Sequence, residues 1–211
     1  MDAQGWNGRY AKSERVFSAD PNPLVAELAG PLPPGRARDR AAGEGRHALW
    51  LAHRGWQVTA ADFSEVGLDR GRRAAEADGL AVEWVLADVR SYRPATAFDL
   101  VLMTFYHPDF SERPRVLSTA ADAVAPGGHL LVVGRHLDDL ARNGGRPRDS
   151  ARRYTPEQLA GAFPGIELTR CEPRTRLIEG DDGPIEITDV VAFGVSVRRA
   201  PAGEVAVEGK Q

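Results

Sequence analysis

The 211-residue sequence has one cysteine, Cys171, and two lysines, Lys12 and Lys210. A single thiol excludes an intramolecular disulfide and fits a reducing compartment. Nothing around Cys171 suggests an activated thiolate, so it reads as an inert cysteine in a strand. The scarcity of lysine leaves 25 of the 27 basic residues as arginine. Beside 22 glycines and 15 prolines this looks like a coding bias, so an isolated arginine carries little functional signal. The N-terminus lacks the apolar core of a signal peptide. No apolar run approaches the roughly 20 residues that a membrane helix needs. A cytoplasmic location without a membrane partner is therefore expected. The net charge of −3 gives no global attraction to nucleic acid, and none is expected as a partner.

The remainder has an ordinary globular composition, 42% hydrophobic and 27% charged, in a length that suits one domain. Residues 1–34 read as an N-terminal extension containing Trp6, Arg9 and Tyr10, a short helix at 22–29 and the breaker Gly30-Pro31-Leu32-Pro33-Pro34. From residue 35 strands and helices alternate. Strands are expected at 36–41, 56–61, 81–87, 98–104 and 129–134, and helices at 45–54, 64–78 and 111–124. Pro126-Gly127-Gly128 is expected to stop the last of these helices. Val- and Leu-rich strands alternating with helices predict a doubly wound α/β fold with a parallel sheet. Residues 135–153 form an arginine- and glycine-rich loop, followed by a helix start with Thr155 as N-cap and Pro156 in the first turn. Strands at 166–178 and 185–198, joined by a turn at 180–183, predict an antiparallel pair closing the sheet. The domain is expected to span 35–199, with 200–211 as a disordered tail.

Three strand ends carry chemistry. In Asp39-Arg40-Ala41-Ala42-Gly43-Glu44-Gly45-Arg46-His47-Ala48 a strand runs through a glycine turn into a helix. Glycines there let the backbone pass close to a ligand, and the helix N-terminus offers free N–H groups. Asp62, ending the second strand, can accept both hydroxyls of a ribose. Its alternative role is helix N-cap, which Ser64 could fill instead. These two signals serve a nicotinamide cofactor and S-adenosylmethionine equally well. The third strand ends in Ala87-Asp88-Val89.

That end, with Asp39 four residues before Gly43 and Pro126-Gly127-Gly128 before the fifth strand, resembles the class I S-adenosylmethionine-dependent methyltransferases. GEGRHALWLAHRGWQVTAADFS (43–64), VEWVLADV (82–89) and WNGRY (6–10) are similar to the small bacterial methyltransferases related to tellurite-resistance and thiopurine methyltransferases. The resemblance implies a seven-stranded, mostly parallel sheet and S-adenosyl-L-methionine as cofactor. It implies a binding site at Asp39, Gly43, Glu44, Gly45, Arg46, Asp62, Phe63, Ser64, Asp88 and Val89. Asp88 would hold the adenine amino group, Val89 would contact the ring, and Trp6 and Tyr10 of the extension would fold over the cofactor.

Ligands of open α/β sheets bind beyond the carboxyl ends of the strands. Tyr106 and His107, which follow the fourth strand, are thus the candidate catalytic residues, with His107 as a base if the acceptor must lose a proton. The expected partner is a small-molecule methyl acceptor, which the positively charged 135–153 loop would suit if anionic. No metal is implied. One departure stands out: Arg38 and Arg40 share a face of what should be a buried central strand, where each would need a partner or an exit to solvent. They keep open a degenerate fold that binds ligand weakly, and a nicotinamide-dependent oxidoreductase is the remaining alternative.

Overall fold

The computed structural model describes residues 2–140, 147–180 and 183–199. The expected tail at 200–211 lies outside these residues, as do Arg142 and Arg146 of the loop and the middle of the 180–183 turn.

The chain begins with α1 (Ala3–Ala11) and α2 (Pro23–Ala29). The core follows as β1 (Arg36–Arg40), α3 (Arg46–His53), β2 (Gln57–Asp62), α4 (Glu65–Ala77), β3 (Val82–Leu86), β4 (Phe98–Thr104), α5 (Arg113–Asp122) and β5 (Val124–Arg135). A 3₁₀ turn at Ser150–Arg152 and α6 (Pro156–Ala160) lead to β6 (Ile166–Gly180) and β7 (Gly183–Ser196). The sheet order is β3-β2-β1-β4-β5-β7-β6. The first five strands are parallel, and β7 is antiparallel to both β5 and β6. This is the expected architecture, closing pair included. The strand order reverses between β1 and β4, which opens a crevice at their carboxyl ends.

Local chemistry explains the boundaries. Asn22 caps α2 by accepting from the Leu24 N–H, and Ser64 caps α4 by accepting from Gly67. Thr155 and Gln158 form a full capping box around Pro156. Two expectations are corrected. Pro126 does not stop α5, which ends at Asp122; Pro126-Gly127-Gly128 instead lies inside β5, with Gly127 at φ +73° and a register shift against β4. A Cβ on Gly128 would come within 2.9 Å of the Phe98 carbonyl oxygen, so only glycine fits. The second correction is α1. The sequence reading had no helix there because its two glycines and one asparagine are poor helix formers, yet Asp2 caps it at Gly5 and its Tyr10 is buried.

Apolar side chains cover both faces of the sheet. Val101, Met103, Leu130 and Val132 pack under α5 with Val116, Leu117 and Tyr154. Leu100, Leu102, Leu131 and Val58 pack on the other face with Leu24, Leu28 and Leu51. Register puts Arg38 beside Val101 and Arg40 beside Met103, while Asp39 lies beside Leu102 on the opposite face. All three are at most 1% exposed.

Candidate functional site

A cleft of about 2320 Å³ lies across the carboxyl ends of β1, β2, β3 and β4. Its floor is the turn after β1, where Gly43 (φ +58°) and Gly45 (φ +76°) take the left-handed backbone that favours glycine. Asp62 fixes that turn from β2. One carboxylate oxygen accepts from the Gly43 N–H at 2.9 Å, the other from the Ser64 N–H at 2.7 Å. Burial pushes the Asp62 carboxyl up, while the N–H groups of Ser64, Gly43 and Phe63 draw it back. The N-cap role falls to Ser64, which leaves Asp62 facing the cleft.

Behind the turn stands Asp39, fully buried, with no close hydrogen-bond donor on either oxygen. Burial raises its carboxyl to about 7, offset in part by the Arg46 guanidinium and reinforced by the Asp62 carboxylate. At the end of β3, Asp88 is gripped by Arg90, whose Nε lies 3.0 and 2.9 Å from its two oxygens. That pairing holds the Asp88 carboxyl below its usual range. Arg90 also reaches Glu112 at 3.1 Å, tying the β3 end to the start of α5.

The N-terminal segment forms the roof. Trp6 stacks on Tyr10 at 5.5 Å between ring centroids, and Arg9 lies over both Trp6 and Phe17. Glu44 clamps the segment: it accepts the Val16 and Phe17 N–H groups and pairs with Arg70 at 2.8 Å. Arg46 continues the series of rings and cations from Phe17 to Phe105.

Of the residues expected from the sequence, Trp6, Tyr10, Gly43, Glu44, Arg46, Asp62, Phe63, Asp88, Tyr106 and His107 line this one cleft. Asp39, Gly45, Ser64 and Val89 stand behind its wall: Ser64 as a helix cap, Val89 as a buried side chain, and Gly45 against Trp84, whose ring a Cβ would meet at 2.3 Å. His107 is not placed to act as a base. Its Nε2 accepts the Arg135 N–H at 2.9 Å, its other nitrogen meets the Phe105 backbone, and burial lowers its pKa to about 3. Tyr106 is pushed by burial up to about 12 and stays a neutral phenol.

The sequence reading missed His47, whose Nε2 accepts the Asn22 N–H while its other ring nitrogen pairs with Thr104. It thereby joins α2 to the end of β4. Phe105, which precedes Tyr106 at the end of β4 and stood beside it among the sequence candidates, is held at φ +54°. The sequence reading also missed Asp189, a buried carboxylate in the run Ile187-Thr188-Asp189-Val190-Val191 that was itself a legible signal.

Residues 38–128 match a family described as a methyltransferase domain. This match spans 91 of the 211 residues, and over that segment the chain is similar to methyltransferase domains. A demethylmenaquinone methyltransferase of Thermus thermophilus is 38% identical over 112 residues, 52% of this chain and 51% of that protein. A tRNA 5-carboxymethoxyuridine methyltransferase of Escherichia coli is 34% identical over 103 residues, 46% of this chain and 39% of that protein. TehB of Haemophilus influenzae, a probable S-adenosyl-L-methionine-dependent methyltransferase, is 25% identical over 141 residues, 63% of this chain and 49% of TehB. The crystal structure of TehB superposes with a TM-score of 0.72 at 17% identity, covering 90% of this chain and 67% of that one, which shows the shared fold. The chain thus spans about half the length, or less, of these curated relatives. The matched segment contains the glycine turn, Asp62 and Asp88, while the β5 end and the β6–β7 pair lie beyond it.

Proposed function

We propose that the protein transfers a methyl group from S-adenosylmethionine to a small-molecule acceptor. The observation that carries this is the convergence of the Gly43 turn, Asp62 and Asp88 on one cleft, which runs on past Phe105 and Tyr106. The residues fit the cofactor. Each Asp62 oxygen accepts one backbone N–H and has a second lone pair for a ribose hydroxyl. Asp88 stands at the end of β3 in the same cleft; each of its oxygens accepts two Arg90 donors, so holding the adenine amino group would require Arg90 to yield one of them. Tyr10 stands against the turn at Gly43, with Trp6 stacked on it.

When bound, S-adenosylmethionine supplies a methyl group activated by a positive sulfur, and the acceptor lone pair displaces the thioether, which keeps the S–C bonding pair. The chain's own contribution is alignment of the two partners, which can lower such a barrier by about 7–11 kcal/mol. Burial lowers the pKa of His107 and raises that of Tyr106, so neither takes a proton from the acceptor near neutral pH. Tyr106 can still donate a hydrogen bond. The roof of α1 and residues 12–20 favours an acceptor that fits under it, and the net charge of −3 gives no global attraction to nucleic acid. The single thiol fits a cytoplasmic setting.

Calorimetric titration with S-adenosylmethionine, S-adenosylhomocysteine and NAD tests the cofactor. Binding of the first two and not of NAD is expected, and stabilisation by NAD alone would overturn the reading. Transfer of labelled methyl groups to bulk tRNA would replace a small-molecule acceptor with a nucleic acid.

A further inference from the structure

We propose that Arg135 and Arg176, braced by the buried carboxylate of Asp189, bind an anionic group on the methyl acceptor, a carboxylate or a phosphate, at the end of the cleft beyond Phe105. This rests on the reading of the cleft as a methyl-transfer site and names the class of acceptor it takes.

Asp189 comes from β7 directly opposite Arg135 of β5. Its side chain is 0% exposed, and its two oxygens are divided between two cations: Arg135 Nη1 at 3.2 Å and Arg176 Nε at 2.8 Å. One buried carboxylate therefore holds two guanidiniums and leaves the group one charge positive. Both arginines line the cleft, with side chains 21% and 25% exposed. Arg176 is fixed through Nε, which leaves both its Nη groups for a ligand. Arg135 is fixed through a single Nη. A guanidinium held at one edge and open at the other suits bidentate recognition of a carboxylate or phosphate. A purely structural ion pair would need one arginine for this carboxylate.

Two further observations point the same way. Arg46 is a third cation close enough to feel both Arg176 and Asp189. Phe105 is held in a left-handed backbone at φ +54°, an arrangement that disfavours a bulky non-glycine residue, and its N–H is fixed to the Val133 carbonyl at 2.7 Å. The result is a ring between Arg46 and Arg135, at 5.7 and 5.6 Å. The ring offers an apolar platform beside the cations, suited to a planar acceptor body bearing the anion.

The test uses the full chain saturated with S-adenosylhomocysteine, titrated with benzoate, phenyl phosphate and the neutral benzamide. At least one anion should bind about tenfold more tightly than benzamide, the effect of one good charge-assisted contact. Comparison of the two anions separates carboxylate from phosphate. Arg135→Gln, which leaves Asp189 paired with Arg176, should abolish the preference while the affinity for S-adenosylhomocysteine is unchanged. Arg176→Lys keeps a cation beside Asp189, and so the fold, and should reduce the preference by losing the planar fork. Equal binding of anions and benzamide, or an undiminished preference in both variants, overturns the proposal. Failure of S-adenosylhomocysteine to bind at all would instead overturn the methyltransferase reading.

Discussion

The Arg40 guanidinium donates to the Val89 carbonyl at 2.8 Å, and so ties the centre of the sheet to the loop that presents Asp88. The same guanidinium reaches the Thr119 hydroxyl at 3.1 Å and the Val116 carbonyl at 3.4 Å. Arg38, two residues earlier on the same face, has a different environment. Its guanidinium lies over Tyr92 at 4.7 Å, and its Nε and one Nη have no hydrogen-bond partner. The sequence reading treated both arginines as damage to the strand, which the structure corrects for Arg40.

The two leucine substitutions should therefore diverge. Arg38→Leu exchanges a cation without a hydrogen-bonded counter-ion for apolar packing, and should leave the fold as stable or more stable by about 1 kcal/mol. Arg40→Leu strands the Val89 carbonyl, while the Val116 carbonyl keeps the Thr119 hydroxyl, and should cost about 1–3 kcal/mol. It should also weaken S-adenosylhomocysteine binding by loosening the Asp88 loop. Denaturant unfolding of the two single variants, with ligand titration of each, checks both. Equal behaviour would refute the distinction.

Asp62→Ala should weaken cofactor binding and also destabilise the empty protein. The carboxylate holds two backbone N–H groups that would otherwise be buried without partners, and such hydrogen bonds contribute roughly 1.5–3 kcal/mol. Unfolding without ligand separates this loss from that of binding. An Ala variant as stable as the parent would show that the staple is idle.

Asp39 should make stability depend on pH. Its folded pKa, about 7, lies above the usual aspartate value of 3.8, so between these values the folded state holds a proton that the unfolded state has released. The associated stability is present below about pH 4 and is lost as the pH rises through about 7. Asp39→Asn removes this dependence. The parent should lose on the order of 2–4 kcal/mol relative to the variant across that window. Parallel unfolding curves at pH 5 and pH 8 would contradict it.

Glu44→Ala should release the roof. The carboxylate holds the Val16 and Phe17 N–H groups and the Arg70 guanidinium, which also donates to the Ser13 carbonyl. Residues 2–20 should then exchange amide hydrogens faster and become sensitive to protease, while the sheet stays protected. Faster release of S-adenosylhomocysteine should accompany the change. Unaltered exchange would leave the roof held by its aromatic contacts alone.

The alternation of apolar strands and helices made the parallel sheet legible, and the ends of β1, β2 and β3 were marked by a glycine turn or an acid. Asp62 stood out as a carboxylate ending an apolar strand, where ligands of open α/β sheets bind, whereas Asp88 was singled out by the resemblance to the methyltransferases. The role of Glu44 was not readable, because its partners lie 27 and 28 residues away in a segment without periodicity. His107 looked like a base because a histidine at a strand end is chemically suggestive, and only burial and the Arg135 N–H decide otherwise. Arg135 and Arg176 were hidden by their number, since 25 arginines dilute the signal of any one. Asp189, in the run Ile187-Thr188-Asp189-Val190-Val191, was the anomaly that marked them.

The Asp189 cross-link also divides the labour of the chain between two stretches of sequence. The parts that suit the cofactor precede residue 128, within the segment shared with relatives of differing substrates, whereas the two arginines and their carboxylate follow it. If the pair holds the acceptor as proposed, the residues that choose the acceptor and those that suit the methyl donor are separable along the chain, and the β6–β7 hairpin can vary without touching the Gly43 turn.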